Sequence, residues 1–187
     1  KEELVSKQAE LQKRYDDFKA MNLKLDMSRG KPGADQLDLS ADMLDCNDYF
    51  SDGVDLRNYG LLDGIPSCKK LFADLMGVDT KNVIIGPNAS LTLMFDYISQ
   101  CYTHGAGDKP WCQAGEVKFL CPVPGYDRHF TILEYFGIKM INIAMKEDGP
   151  DMDAVEEYIK DESVKGMFCV PKYSNPQGIT SVSYTHL

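Results

Sequence analysis

Three short stretches of this sequence join residue types that do chemistry to residue types that turn a chain. GPNAS, residues 86–90, sets small side chains and a hydroxyl directly behind an apolar run. If a helix starts there, the free N–H groups of Asn88, Ala89 and Ser90 form a cradle for a phosphate, with the Ser90 hydroxyl as a further donor. VPGYDRH places Tyr126 immediately after a Pro-Gly turn, where its ring can stack on a planar cofactor. Arg128 and His129 follow, and a cation at that point suits a substrate carboxylate. SNPQG holds Asn175 in a turn from which its amide can donate to a ring oxygen. Each stretch alone also reads as ordinary structure: a capped helix start, a packing tyrosine, a solvated helix face.

The surrounding elements must bring these stretches together. Leu4, Leu11, Tyr15 and Phe18 make one stripe of an opening helix, read as a docking arm. Residues 21–51 show no regular period. Pro66 and Gly77 bracket a helical face of Cys68, Leu71, Phe72, Leu75 and Met76. Asn82–Ile85 reads as a short buried strand, and LTLMFDYISQCY after it as a helix capped by Asn88 or Ser90. EVKFLCP is a strand, YDRHFTILEYF a helix ending at Gly137, and IKMINIAM a strand. After the turn KEDGPD comes a helix capped by Asp151, then the strand VKGMFCVP. This alternation predicts α/β layers around a largely parallel sheet. Ligands gather at the carboxyl edge of such sheets, so the three loops are expected to converge on one rim.

Composition narrows the classes. Of 187 residues, 43% are hydrophobic and 26% charged, the balance of a soluble globular chain. No apolar run reaches the roughly 18 residues of a membrane span. A net charge of −9 argues against general affinity for nucleic acid or anionic membrane. The six cysteines form no C-x-x-C pair and no metal-ligand spacing; Cys68, Cys101 and Cys169 read as core residues in a reducing cytoplasm.

In order along the chain, Tyr59–Gly60 with IPSCKKLF, GPNAS, PGY and NPQG resemble the fold-type-I, class I/II aminotransferases that depend on pyridoxal 5′-phosphate. LDMSRGKPGADQLDLS, NYGLLDGIPSCKKLF and VPGYDRHF are similar to a bacterial aspartate aminotransferase-like subgroup, from about Leu23 to Thr180. The resemblance implies a three-layer α/β sandwich behind an N-terminal helical arm. Residues 1–50 would be the arm and the start of the small domain, and 51–180 the first part of the large cofactor-binding domain. It implies that Asn88, Ala89 and Ser90 bind the cofactor phosphate, that Tyr126 stacks on the pyridine, and that Asn175 bonds the phenolic oxygen, with Pro176 and Gly178 shaping its turn. Tyr59 resembles a tyrosine that reaches the phosphate of the neighbouring subunit's cofactor, which implies a homodimer. Ser28, Arg29 and Gly30 lie where the family closes over its substrate.

The substrates implied are an amino acid and a 2-oxo acid, aspartate and 2-oxoglutarate by subgroup. In the family, the Schiff-base lysine, the acidic partner of the pyridine nitrogen and the carboxylate-binding arginine all follow the NPxG turn. Lys172 does not stand at that lysine's place, so the chain is expected to be an N-terminal piece that cannot transaminate alone. Lys1 in place of Met is read as a missing start, and SVSYTHL, residues 181–187, as a non-native tail. A lyase or decarboxylase of the same cofactor family is the nearest alternative. An aminotransferase-like regulator would need a basic recognition helix, and a plain nucleotide-binding domain a glycine-rich phosphate loop. Neither is in the sequence.

Overall fold

The computed structural model describes residues 1–25, 30–45 and 47–182. The chain divides into two units, Lys1–Gly60 and Leu61–Leu187. In the first, α1 (Glu2–Ala20) forms where the stripe predicts it. Glu2 and Glu3 at its start and Lys19 at its end match the helix dipole, and Lys7 pairs with Glu10 at 3.4 Å. None of its residues is buried, so the stripe lies open. Residues 21–51, read as irregular, contain α2 (Ala34–Asp38), a 3-10 turn (Ala41–Asp45) and β1 (Phe50–Ser51), which pairs just beyond them with β2 (Val54–Asp55) in a hairpin. Its turn residues, Asp52 and Gly53, stand at φ 54° and 78°, the conformation that an Asp-Gly hairpin turn prefers. Arg57 closes the hairpin: its guanidinium donates to both Asp55 carboxylate oxygens, at 2.9 and 2.8 Å, and lies over Tyr49 and Phe50.

The second unit opens with α3 (Pro66–Met76), with Pro66 in its first turn and Gly77 as a left-handed cap at φ 67°. The strand expected at Asn82–Ile85 does not form. A 3-10 turn takes Thr80–Asn82, Val83 is extended and buried, and Ile84 is 77% exposed. The Ile85 N–H donates to the Asp63 carbonyl at 3.0 Å, but no ladder follows. A strand is a pairing and not a local shape, and the described residues place no partner strand beside this run.

The remaining elements build the layered sheet: α4 (Ser90–Thr103), β3 (Lys118–Val123), α5 (Asp127–Tyr135), β4 (Lys139–Lys146), β5 (Gly149–Pro150), α6 (Met152–Tyr158) and β6 (Val164–Met167). Strand order is β5-β4-β3-β6. β3 pairs parallel with β4, from Lys118↔Lys139 to Val123↔Ala144, and parallel with β6. β5 is an antiparallel addition in what read as a simple turn. Alternate residues of β3 serve opposite faces. Phe119 and Cys121 enter a core with Ile98 and Cys101 of α4 and Ile132 and Leu133 of α5. Leu120 enters the other core, with Ile143 of β4 and Val155 of α6. These are the three layers expected of the sandwich.

β6 is shorter than its apolar run. The Phe168 N–H still donates to the Leu120 carbonyl at 3.2 Å, but the next β3 residue facing β6 is Pro122, which has no N–H to give. Cys169 therefore lies past the ladder and is exposed, not in the core, while Cys101 and Cys121 are buried and Cys68 half-buried. Asp151 caps α6 as expected, accepting from the Ala154 N–H at 3.3 Å. No described helix is long and apolar enough to cross a membrane.

At the amino ends of the strands, Lys118 pairs with Asp161 at 2.7 Å and Glu116 at 3.2 Å, and Lys139 pairs with Glu116 at 3.0 Å. Lys118 holds the Asp161 carboxyl well below the usual range, and Lys139 then Lys118 lower that of Glu116. Depressed carboxylates add stability above their unfolded pKa of about 4 and lose it as pH falls through the lower folded value. Lys118, raised first by Asp161, adds stability below its ordinary pKa and loses it only as pH rises through the higher one. The urea midpoint is therefore expected to hold near neutrality and to fall progressively below about pH 4. Lys118→Met should lower the plateau and flatten the acid limb; an unchanged acid limb would count against this network.

Candidate functional site

Beyond the carboxyl ends of β3 and β6 lies a cleft of about 400 Å3, its open mouth included. Gly125, Tyr126 and His129 line it from the β3–α5 side, and Phe168, Ser174 and Asn175 from the segment after β6. Parallel pairing of β3 with β6 sends both chain ends to the same edge, so two loops distant in sequence meet.

Tyr126 owes its place to the turn before it. A Cβ on Gly125 would stand 2.5 Å from the Pro122 carbonyl oxygen and 2.8 Å from Cζ of Phe130, so only glycine lets the chain pass. Tyr126 then occupies the N-cap position of α5 with an extended backbone, and its half-buried ring faces the cleft. His129 meets that ring edge-on at 5.2 Å and lies 5.6 Å from Phe168. Burial pushes the His129 imidazole below its usual pKa, so it is neutral at pH 7. Arg128 is exposed and does not line the cleft. Helix geometry carried this signal: His129 is three residues from Tyr126 and shares its face, whereas Arg128, two residues away, points elsewhere.

The second wall is the loop Ser174–Ile179. The Ser174 N–H donates to the Ile179 carbonyl at 2.9 Å, and the Ile179 N–H returns a bond to Ser174 Oγ at 3.1 Å. Gly178, at φ 70°, sits where a side chain would strain the turn, and its N–H donates to the Ser174 carbonyl. Asn175, the first residue inside that loop, lines the cleft and is exposed.

GPNAS leads into α4 differently from expectation. Ala89, not Asn88 or Ser90, is the N-cap residue, and no side chain caps the helix. Alanine has no acceptor to offer, so only the Ala89 carbonyl serves the first turn, taking the N–H groups of Thr92 and Leu93. The helix start stays open to an anion. Asn88, Ala89 and Ser90 are exposed and are not among the residues lining the cleft, so two of the three loops share it.

In the first unit, Tyr59 is fully exposed and Gly30 has no heavy atom within 4 Å of where a Cβ would stand. Ser28 and Arg29 lie outside the described residues, as do residues 183–187 of the tail. Lys172 is exposed, and no lysine lines the cleft among the described residues. No described group of three His, Cys, Asp or Glu side chains is placed to hold a metal. The cleft thus offers an aromatic face, an amide donor and a neutral imidazole, a set that fits a flat, heteroatom-bearing ring.

Comparison with known proteins shows the family. The family model described as aspartate amino-transferase matches residues 1–185. Aspartate aminotransferase of Corynebacterium glutamicum is 50% identical over 177 residues, covering 91% of this chain and 41% of that protein. A solved Corynebacterium diphtheriae chain assigned to the aminotransferases superposes with a TM-score of 0.85 at 49% identity, over 95% of this chain and 45% of that one. The α-aminoadipate aminotransferase of Thermus thermophilus, solved with N-(5′-phosphopyridoxyl)-L-leucine, shares the fold at 21% identity and a TM-score of 0.53, over 67% of this chain and 29% of its own. The chain spans less than half the length of the relatives it matches.

Proposed function

Because the chain belongs to the aspartate aminotransferase family, we propose that it forms part of an enzyme moving an amino group between an amino acid and a 2-oxo acid with pyridoxal 5′-phosphate. Aspartate and 2-oxoglutarate are the favoured pair. The observation that carries the reading is that Tyr126 and Asn175 line one cleft from two separate loops.

In this reading the Tyr126 ring packs on the pyridine and the Asn175 amide donates to its phenolic oxygen. Asn88, Ala89 and Ser90 hold the phosphate at the uncapped start of α4, as its open N–H groups suit. Bound there, the cofactor supplies the electron sink that stabilises charge at the substrate α-carbon. Gly30, with Ser28 and Arg29, closes over the substrate, and Arg128 is available to a carboxylate. Tyr59 extends to the phosphate site of a second copy, making a homodimer; its full exposure supports this. The free thiols of the described cysteines suit a reducing, cytoplasmic compartment.

In the full-length enzyme, Tyr126→Ala and Asn175→Ala are each expected to weaken cofactor binding about tenfold, the effect of losing one stack or one buried hydrogen bond. Titration followed by cofactor absorbance checks this. Product analysis with aspartate should give oxaloacetate and glutamate; release of ammonia or carbon dioxide instead would make the enzyme a lyase or decarboxylase.

A further inference from the structure

We propose that Ser174 is the positioning residue for Asn175: its buried hydroxyl locks the Ser174–Ile179 loop in the form that presents the Asn175 amide to the cleft. The inference rests on the reading that Asn175 holds the cofactor's ring oxygen. Ser174 stands out as a buried polar residue, 7% exposed, in a loop whose next four residues are all exposed. Packing around Asn175 therefore does not fix it; the shape of the loop does.

That shape has a specific lock. Main-chain bonds alone join Ser174 to Ile179 once, through the Ser174 N–H, and to Gly178 once, through the Ser174 carbonyl. The hydroxyl adds the bond that makes the Ser174–Ile179 contact reciprocal, accepting from the Ile179 N–H at 3.1 Å. Two bonds between the same two residues fix both separation and rotation, whereas one leaves a hinge. Asn175 is the first residue inside the closed loop, so a rotation at Ser174 swings its amide directly. With a methyl in place of the hydroxyl, the half-buried Ile179 N–H loses its acceptor and the loop must open to find water. Ser174 also lines the cleft itself, so the lock sits beside the group it positions.

The test uses the full-length holoenzyme, with far-UV circular dichroism as a check of folding. Two quantities are read: the cofactor dissociation constant and the pH midpoint of the cofactor's visible absorption change. Ser174→Ala is expected to weaken cofactor binding about fivefold to tenfold, the cost of one buried hydrogen bond. It should also move the absorption midpoint in the same direction as Asn175→Ala. Ser174→Thr keeps the acceptor and should return both quantities to within about twofold of wild type. On the Asn175→Ala background, Ser174→Ala should add almost nothing, because it acts through the residue already removed. An unshifted midpoint in Ser174→Ala beside a shifted one in Asn175→Ala would overturn the proposal, as would full additivity of the two. If Asn175→Ala itself changes neither quantity, the cofactor reading of Asn175 fails, and the positioning role with it. Should Ser174→Ala not fold, Ser174→Cys replaces it: a midpoint between wild type and Asn175→Ala supports the lock, and a wild-type midpoint overturns it.

Discussion

Residues 1–187, purified, saturated with pyridoxal phosphate and given aspartate with 2-oxoglutarate, are expected to exchange no amino group faster than the free cofactor does in solution. The cleft supplies recognition without a primary amine, among the described residues, to hold the cofactor covalently and carry the proton at the substrate α-carbon. Tyr126 can pack, Asn175 can donate one hydrogen bond, and His129 is neutral, but no lysine lines the cleft among the described residues. Lys172, the nearest in sequence, is exposed, and Lys69 is already paired with Asp63. A lysine amine positioned for proton transfer at the substrate α-carbon is worth about 10²–10⁴ in rate, so a cleft without one should turn over at least about a hundredfold more slowly. A coupled assay for oxaloacetate measures it, with a longer protein carrying the remaining family residues as the positive control. Turnover by residues 1–187 within tenfold of that control would refute the expectation. Its loss on Lys172→Ala would then identify the lysine responsible.

Gly125→Ala should be the most damaging small substitution at the cleft. The new Cβ would meet the Pro122 carbonyl oxygen at 2.5 Å and the Phe130 ring at 2.8 Å. Neither neighbour yields cheaply. Pro122 belongs to β3, an inner strand with a neighbour on each side, and Phe130 packs against the core shared by α4 and α5. Overpacking of this kind costs about 1–3 kcal/mol, and with a backbone atom as the obstacle the upper half of that range is expected. The chain can relieve the clash by moving the Pro124–Tyr126 turn outward, which takes Tyr126 from the cleft. Urea denaturation should show the loss of stability, and the full-length enzyme should bind cofactor at least about tenfold more weakly. Gly60→Ala is the control: its φ is unremarkable and nothing stands within 4 Å of the added Cβ, so it should lie within about 0.5 kcal/mol of wild type. Equal midpoints for the two variants would show that the Gly125 turn adapts at no cost.

Local chemistry was legible in the sequence. Pro66 and Gly77 bracket α3, Asp151 caps α6, and the Leu4-to-Phe18 stripe marks α1, because each signal acts within a turn or two of its own backbone. The alternation of apolar runs with helical faces gave the layers, since parallel strands buried on both faces leave continuous apolar runs. Even the preference of the cleft for His129 over Arg128 was available from helical spacing. The hairpin turn at Asp52–Gly53 was equally local and passed unread because its strands are only two residues each.

What depended on tertiary structure was every pairing. Asn82–Ile85 has the residues of a strand and no ladder, because hydrogen-bonding edges come from elsewhere in the chain. The apolar run after Val164 pairs only as far as Met167, and the reason is a proline in another strand. The site follows the same division. The sequence by itself offered the candidates for a flat, phosphorylated cofactor: the helix start at Ser90, the ring of Tyr126, the amide of Asn175. That Tyr126 and Asn175 share a cleft was decided by the parallel register of β3 with β6, because contacts between distant segments depend on which backbone edges meet, and no local propensity encodes that choice.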